Sequence, residues 1–241
     1  MGPDMFALLG AAASIGLLHT LLGPDHYLPF IVLSKARDWS LAKTARIAAL
    51  CGLGHVLGSI ILGAVGVAAG LTLDGLTATE TLRGGIAAWL LIGFGAAYAA
   101  WGLRRAWRNR PHAHRHVHDD GTVHAHEHTH QAQHVHVHDA AAGKTPGRKL
   151  TPWILFTIFI FGPCEPLIPA LMYPAAKGDV WGVAAVAGLF ALVTIATMIV
   201  IVTVGVSGVR WIPLAGLQRF SHALAGAVVC VCGAGILVFG W

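Results

Sequence analysis

The chain has 241 residues, of which 56% are hydrophobic, 11% are charged and 30 are glycine, with a formal net charge of +5. A soluble globular domain carries roughly 25% charged residues, so this composition excludes one and indicates an integral membrane protein. Cys51, Cys164, Cys230 and Cys232 all lie in apolar runs, which argues against a disulfide framework, and the basic residues sit beside those runs, where they report topology rather than nucleic-acid binding.

In chain order, the first residues lack a basic segment and include Asp4, so the first apolar run is expected to be a span rather than a cleaved signal. Six runs reach the roughly 20 residues needed to cross about 30 Å of hydrocarbon. They are Met5–Leu33, Ile47–Leu73, Gly84–Leu103, Pro152–Ala176, Val180–Val209 and Phe220–Trp241. Glycine and proline inside them are compatible with membrane helices. The expected fold is all-α, with six transmembrane helices arranged as two inverted three-helix repeats, residues 1–107 and 151–241. Between them lies a histidine-rich loop, residues 108–150.

Fourteen of the sixteen basic residues fall after span 1, between spans 3 and 4, or between spans 5 and 6, leaving Arg83 and Lys177 on the other side. The positive-inside rule then places the loop in the cytoplasm and both termini outside, in a multi-pass inner-membrane topology. Trp101, Trp107, Trp153, Trp181, Trp211 and Trp241 fall near span ends, as an interfacial aromatic belt requires.

Eleven of the fifteen histidines lie in that loop: His112, His114, His116, His118, His124, His126, His128, His130, His134, His136 and His138. Such a tract is a compositional metal-binding signal. Its H-x-H alternation, acidic neighbours and lack of apolar periodicity indicate a disordered segment acting as an accessory metal buffer or gate. A plain solvated spacer is the simpler alternative.

The two halves share a pattern. Gly23-Pro24-Asp25-His26 matches Gly162-Pro163-Cys164-Glu165 at an offset of 139, with Pro29 and Pro169 following them at 140, and Gly93-x-Gly95 matches Gly233-x-Gly235 at 140. Inverted-repeat transporters place their site near the midplane on helices interrupted by Gly and Pro, and the two Gly-Pro segments mark that place.

Ionisable residues inside a membrane are expensive and usually functional. Span 1 carries His19, Asp25 and His26; seven residues separate the histidines, about 10 Å along a straight helix, and the Gly23-Pro24 kink can shorten that distance. In span 2, His55 stands between Gly54 and Gly58, a spacing suited to close helix contact. In span 4, Glu165 occupies the position equivalent to His26, as a ligand, a charge-neutralising partner or a proton carrier, and Cys164 is either a ligand or a packing residue. Thr194 and Met198 in span 5 are second-tier candidates, and His222 reads as interfacial. His, Asp and Glu with access to Cys suit a borderline divalent ion rather than Ca²⁺ or Mg²⁺, with Ni²⁺ and Co²⁺ leading and Zn²⁺, Fe²⁺ and Mn²⁺ remaining open. Metal competes with protons for these groups, which suits a metal–proton exchanger better than a pore.

The segments His19-Thr-Leu-Leu-Gly-Pro-Asp25-His26, Gly54-His55 and Gly162-Pro-Cys-Glu-Pro-Leu-Ile-Pro169 together resemble the nickel/cobalt transporter group: NiCoT permeases, RcnA-type exporters and UreH-like membrane proteins. The likeness covers nearly all of the chain outside the loop, with a more distant similarity to the CcdA and LysE inverted-repeat families. It implies nickel or cobalt transport with the span 1 histidines and aspartate as ligands, and no enzymatic activity. Five residues rather than four separate His19 from Asp25, which is closer to the UreH-like form, while the cytoplasmic histidine loop is similar to the exporters and tilts the expectation slightly toward efflux. Expected partners are the bilayer, the transported ion and a cytoplasmic metallochaperone; no permanent cofactor or nucleic acid is implied. Two rival readings are a membrane metal sensor or metalloenzyme-assembly accessory, and a thiol relay like CcdA. The relay needs a cysteine in each half, whereas the partner position of Cys164 is Asp25.

Overall fold

The computed structural model describes residues 3–108, 112–117, 123–128, 147–162, 164, 166–211 and 218–239. Helix α1 (Pro3–Leu22) stops where Pro24 offers no N–H to continue the ladder. The Gly23 amide still closes on His19 O at 3.0 Å, and a single 3₁₀ turn, Pro24–His26, follows. The chain resumes as α2 (Leu28–Arg37), which ends on Asp38 in the left-handed region (φ 56°). Next come α3 (Leu41–Ala68) and α4 (Leu73–Arg108), joined by a turn with Gly70 at φ 71°.

Strands β1 (His112–Val117) and β2 (Val123–His128) pair antiparallel where the sequence predicts no regular structure. Their register sets His112 opposite His128, His114 opposite His126 and His116 opposite His124. His118, His130, His134, His136 and His138 lie outside the described residues. Among the described residues four more α-helices follow: α5 (Gly147–Ile160), α6 (Leu167–Ala176), α7 (Val180–Trp211) and α8 (Ser221–Phe239), the last preceded by a 3₁₀ turn, Gln218–Phe220. Asp179 caps α7 by accepting the Gly182 amide at 2.8 Å, the usual role of an aspartate at a helix start.

Among the described residues, five helical segments are long and apolar enough to cross a membrane: Asp4–Leu22, Leu41–Gly66, Leu73–Arg108, Val180–Val209 and Gln218–Phe239. The protein is therefore a multi-pass membrane protein. Its surface agrees, since Ile61, Trp89, Trp153, Trp181, Val204 and Trp211 are all exposed, an arrangement that water would penalise and lipid favours.

Three expected spans differ from the structure. The run Met5–Leu33 is broken at Gly23–His26 into α1 and α2, and only its first part, Asp4–Leu22, is long enough to span. The run Pro152–Ala176 is not one helix but two short ones, α5 and α6, separated around Gly162–Pro166. Prolines at 163 and 166 each remove a ladder donor, so a continuous helix through this segment gains few hydrogen bonds. The third span begins at Leu73, not Gly84, because the charged residues Glu80 and Arg83 are accommodated within the helix by partners described below.

Packing brings α1 onto α7, α3 onto both α5 and α7, and α2 onto α7 and α8; α4 lies along α8. The α4–α8 contact is backbone against backbone. A Cβ on Gly226 would stand 2.6 Å from Gly95 O, and one on Gly233 would stand 2.7 Å from Ala88 O. With little hydrophobic drive between helices in lipid, such close approach is a main source of association.

Candidate metal centre

Three histidines from three elements of the first half converge inside the bundle. His19 ends the α1 ladder, His26 closes the 3₁₀ turn, and His55 comes from the middle of α3. One ring nitrogen from each lies within 4.8 Å of the other two. The rings of His19 and His26 are 4.7 Å apart at 79°, those of His26 and His55 5.1 Å apart at 88°, and those of His19 and His55 6.1 Å apart and nearly parallel. The kink that the sequence anticipates is what joins His19 to His26, replacing the roughly 10 Å of a straight helix. Donors held at about 2.1 Å from one ion in tetrahedral array stand ~3.4 Å apart, so an inward movement of about an ångström encloses a metal.

Outer contacts orient the rings. His26 Nδ1 lies 3.1 Å from Gly23 O and 3.4 Å from Asp25 Oδ1. A carbonyl only accepts, so this contact puts the proton on Nδ1 and leaves the Nε2 lone pair free. His55 is held by the Phe159 carbonyl. Such second-sphere partners fix tautomer and direction at metal-binding histidines.

Five buried side-chain atoms lack any hydrogen-bond partner among the described residues: His19 Nε2, Asp25 Oδ1, His26 Nε2, His55 Nε2 and Thr194 Oγ1. Buried polar atoms are nearly always paired, because an unpaired one costs about 1–3 kcal/mol. Four of these five belong to the histidine cluster and its aspartate. The fifth, Thr194 on α7, faces α1 at Gly16, one turn from His19: a Cβ on Gly16 would stand 3.2 Å from Thr194 Oγ1. A pocket of ≈ 10 Å³, bordered by Asp25, His26, His55, Phe159 and Gly162, opens beside the rings.

Glu165 and Pro163 lie outside the described residues. Cys164 is fully buried and free, packed with Val56, Leu167 and Phe190 rather than gathered with the histidines. Met198 is likewise core, against Gly52. Gly23 and Gly162 back the site: a Cβ on either would stand 2.6 Å from Nδ1 of His26 or His55, respectively. His222 sits apart, with Nδ1 2.8 Å from the Tyr98 hydroxyl and Nε2 3.4 Å from Arg105.

One polar cluster escaped the sequence reading. Glu80, fully buried on α4, accepts from Ser59 Oγ at 3.2 Å and from the Cys164 amide at 2.9 Å, and pairs with Arg83. Arg83 also donates to Ile160 O at 2.7 Å and approaches Gly162 O at 3.4 Å. The signal was present as Glu80-x-x-Arg83, an i,i+3 pair of opposite charge beside an apolar run, which is a helical spacing. Compared with protein-family models, with curated proteins and with solved structures, the chain finds no match in any of the three.

Proposed function

We propose that the protein moves a divalent transition-metal ion across the membrane through the His19–His26–His55 centre. The observation that carries the reading is the convergence of three buried or half-buried imidazoles, one nitrogen of each within 4.8 Å of the others, whose Nε2 atoms all lack a hydrogen-bond partner among the described residues. Nitrogen donors of this kind suit Ni²⁺ and Co²⁺ first, then Zn²⁺ and Fe²⁺, and disfavour the oxygen-seeking Ca²⁺ and Mg²⁺. Asp25 supplies negative charge behind His26 and offers an oxygen donor. Because metal must displace protons from imidazole and carboxylate, transport is coupled to protons in the opposite direction.

The helix packing supports an inverted repeat. Exchanging the halves turns the α1–α7 contact into the α5–α3 contact and the α2–α8 contact into the α6–α4 contact, and all four occur. The bias of basic residues toward one set of loops supports a cytoplasmic histidine-rich segment, which in this reading buffers metal at the mouth and receives it from a metallochaperone. This arrangement favours efflux.

Reconstituted protein tests the reading. Ni²⁺ or Co²⁺ flux in proteoliposomes, with counter-movement of protons, is the expected result. Binding without flux identifies a sensor or assembly accessory instead. Whole-cell accumulation of Ni, Co, Zn, Mn and Fe, with and without the protein, then gives direction by its sign and cargo by its pattern.

A further inference from the structure

In an unbroken helix, the Cys164 amide would donate to the Ile160 carbonyl, four residues back. Here that bond is absent. The Cys164 amide donates instead to Glu80 Oε2, Glu80 pairs with Arg83, and Arg83 Nη2 donates to Ile160 O. A side-chain ion pair from α4 has been inserted between the two halves of a helical hydrogen bond. The next free carbonyl, Gly162 O, would meet Pro166, which has no N–H, and it too faces Arg83. Gly58 on α3 makes room for this reach, since a Cβ there would stand 2.8 Å from Arg83 Nη2 and 2.9 Å from Ile160 O.

From this geometry we infer that Glu80 and Arg83 are positioning residues: a clamp on α4 that holds the α5–α6 interruption open and presses Gly162 against His55. The inference rests on the reading of the histidine cluster as a metal site. The clamped segment begins where the Phe159 carbonyl holds His55 and where Gly162 backs the same ring. Releasing the clamp lets Cys164 return to Ile160, rewinding the turn and withdrawing both supports of His55. The pair therefore sets metal affinity without touching metal. Ser59, one turn beyond His55 on α3, ties the clamp to the same helix through its hydroxyl, 3.2 Å from both Glu80 and Arg83.

The test uses full-length protein in nanodiscs, with the eleven loop histidines replaced by alanine in every variant so that calorimetry reads the buried site, and it has two readouts. The first is maleimide labelling of Cys164, in a background where Cys51, Cys230 and Cys232 are alanine, and it involves no metal. Arg83→Gln and Gly58→Ala are expected to speed labelling, because the fully buried cysteine is freed with its segment. The second is Ni²⁺ affinity by calorimetry, expected to fall by about 10- to 100-fold, as for other second-sphere losses. The exchanged pair Glu80→Arg/Arg83→Glu is expected not to rescue, since a guanidinium cannot accept from the Cys164 amide. Unchanged labelling in both Arg83→Gln and Gly58→Ala, or full rescue by the exchanged pair, overturns the clamp. Should Arg83→Gln fail to fold, Gly58→Ala, which keeps every charge, decides alone. His55→Ala separates the two readings: retained Ni²⁺ binding in that variant defeats the metal site, while the labelling result still judges the clamp.

Discussion

His26 and His55 meet at 5.1 Å and 88°, and each has a glycine pressed against its Nδ1 edge, Gly23 behind the first and Gly162 behind the second. Those two glycines are the equivalent positions of the repeated Gly-Pro motif. The motif thus supplies both a helix break and a flat backing for an imidazole, one per half.

Removing any one ring of the trio should abolish transport. His26→Ala and His55→Ala are expected to lower Ni²⁺ affinity by more than the about 10- to 100-fold of a second-sphere change. His19→Ala belongs to the same class. Calorimetry and flux on folded variants check this; normal flux in His55→Ala would sink the assignment.

Backing residues make a subtler prediction. Gly162→Ala puts a methyl group against His55 Nδ1, and Gly23→Ala does the same to His26. Each ring must turn, so affinity should drop, with a stability loss of ~1–3 kcal/mol from overpacking. Thermal melting in detergent alongside Ni²⁺ titration separates the two effects.

Glycines elsewhere should divide sharply. Gly226→Val drives a side chain into the α4 backbone at Gly95 and Ala99, and is expected to destabilise by at least ~1–3 kcal/mol. Gly93→Ala meets no neighbour within 4 Å and should stabilise α4 by roughly 0.5–1 kcal/mol, the cost of glycine in a helix interior. Melting temperatures of the two variants should move in opposite directions.

Deleting residues 111–143 should shift the metal concentration at which transport responds, while transport itself persists. Flux curves against free Ni²⁺ provide the measurement. Complete loss of flux in a well-folded deletion would falsify the division of labour between loop and bundle.

Much of the site was legible in the chain. His19, Asp25, His26 and His55 stand out because ionisable groups are costly in lipid, and each helix break is announced by its Gly-Pro pair. Glu80 and Arg83 were not legible as partners. At the edge of an apolar run they read as loop charges, and only the backbone groups freed by a distant helix break make them affordable inside a bundle. Cys164 misled in the opposite way: its thiol drew notice, whereas its amide does the structural work.

By itself the sequence determined a multi-pass membrane protein, an inventory of intramembrane histidines and two breakpoints, because hydropathy, charge and proline chemistry are local properties. Only the tertiary structure decided that three of those histidines share one site, and that α4 fastens the second break beside it. Such meetings depend on how closely helices approach. Here the approach is set by glycines packed against backbone, and by buried polar atoms that must find partners wherever the fold brings them.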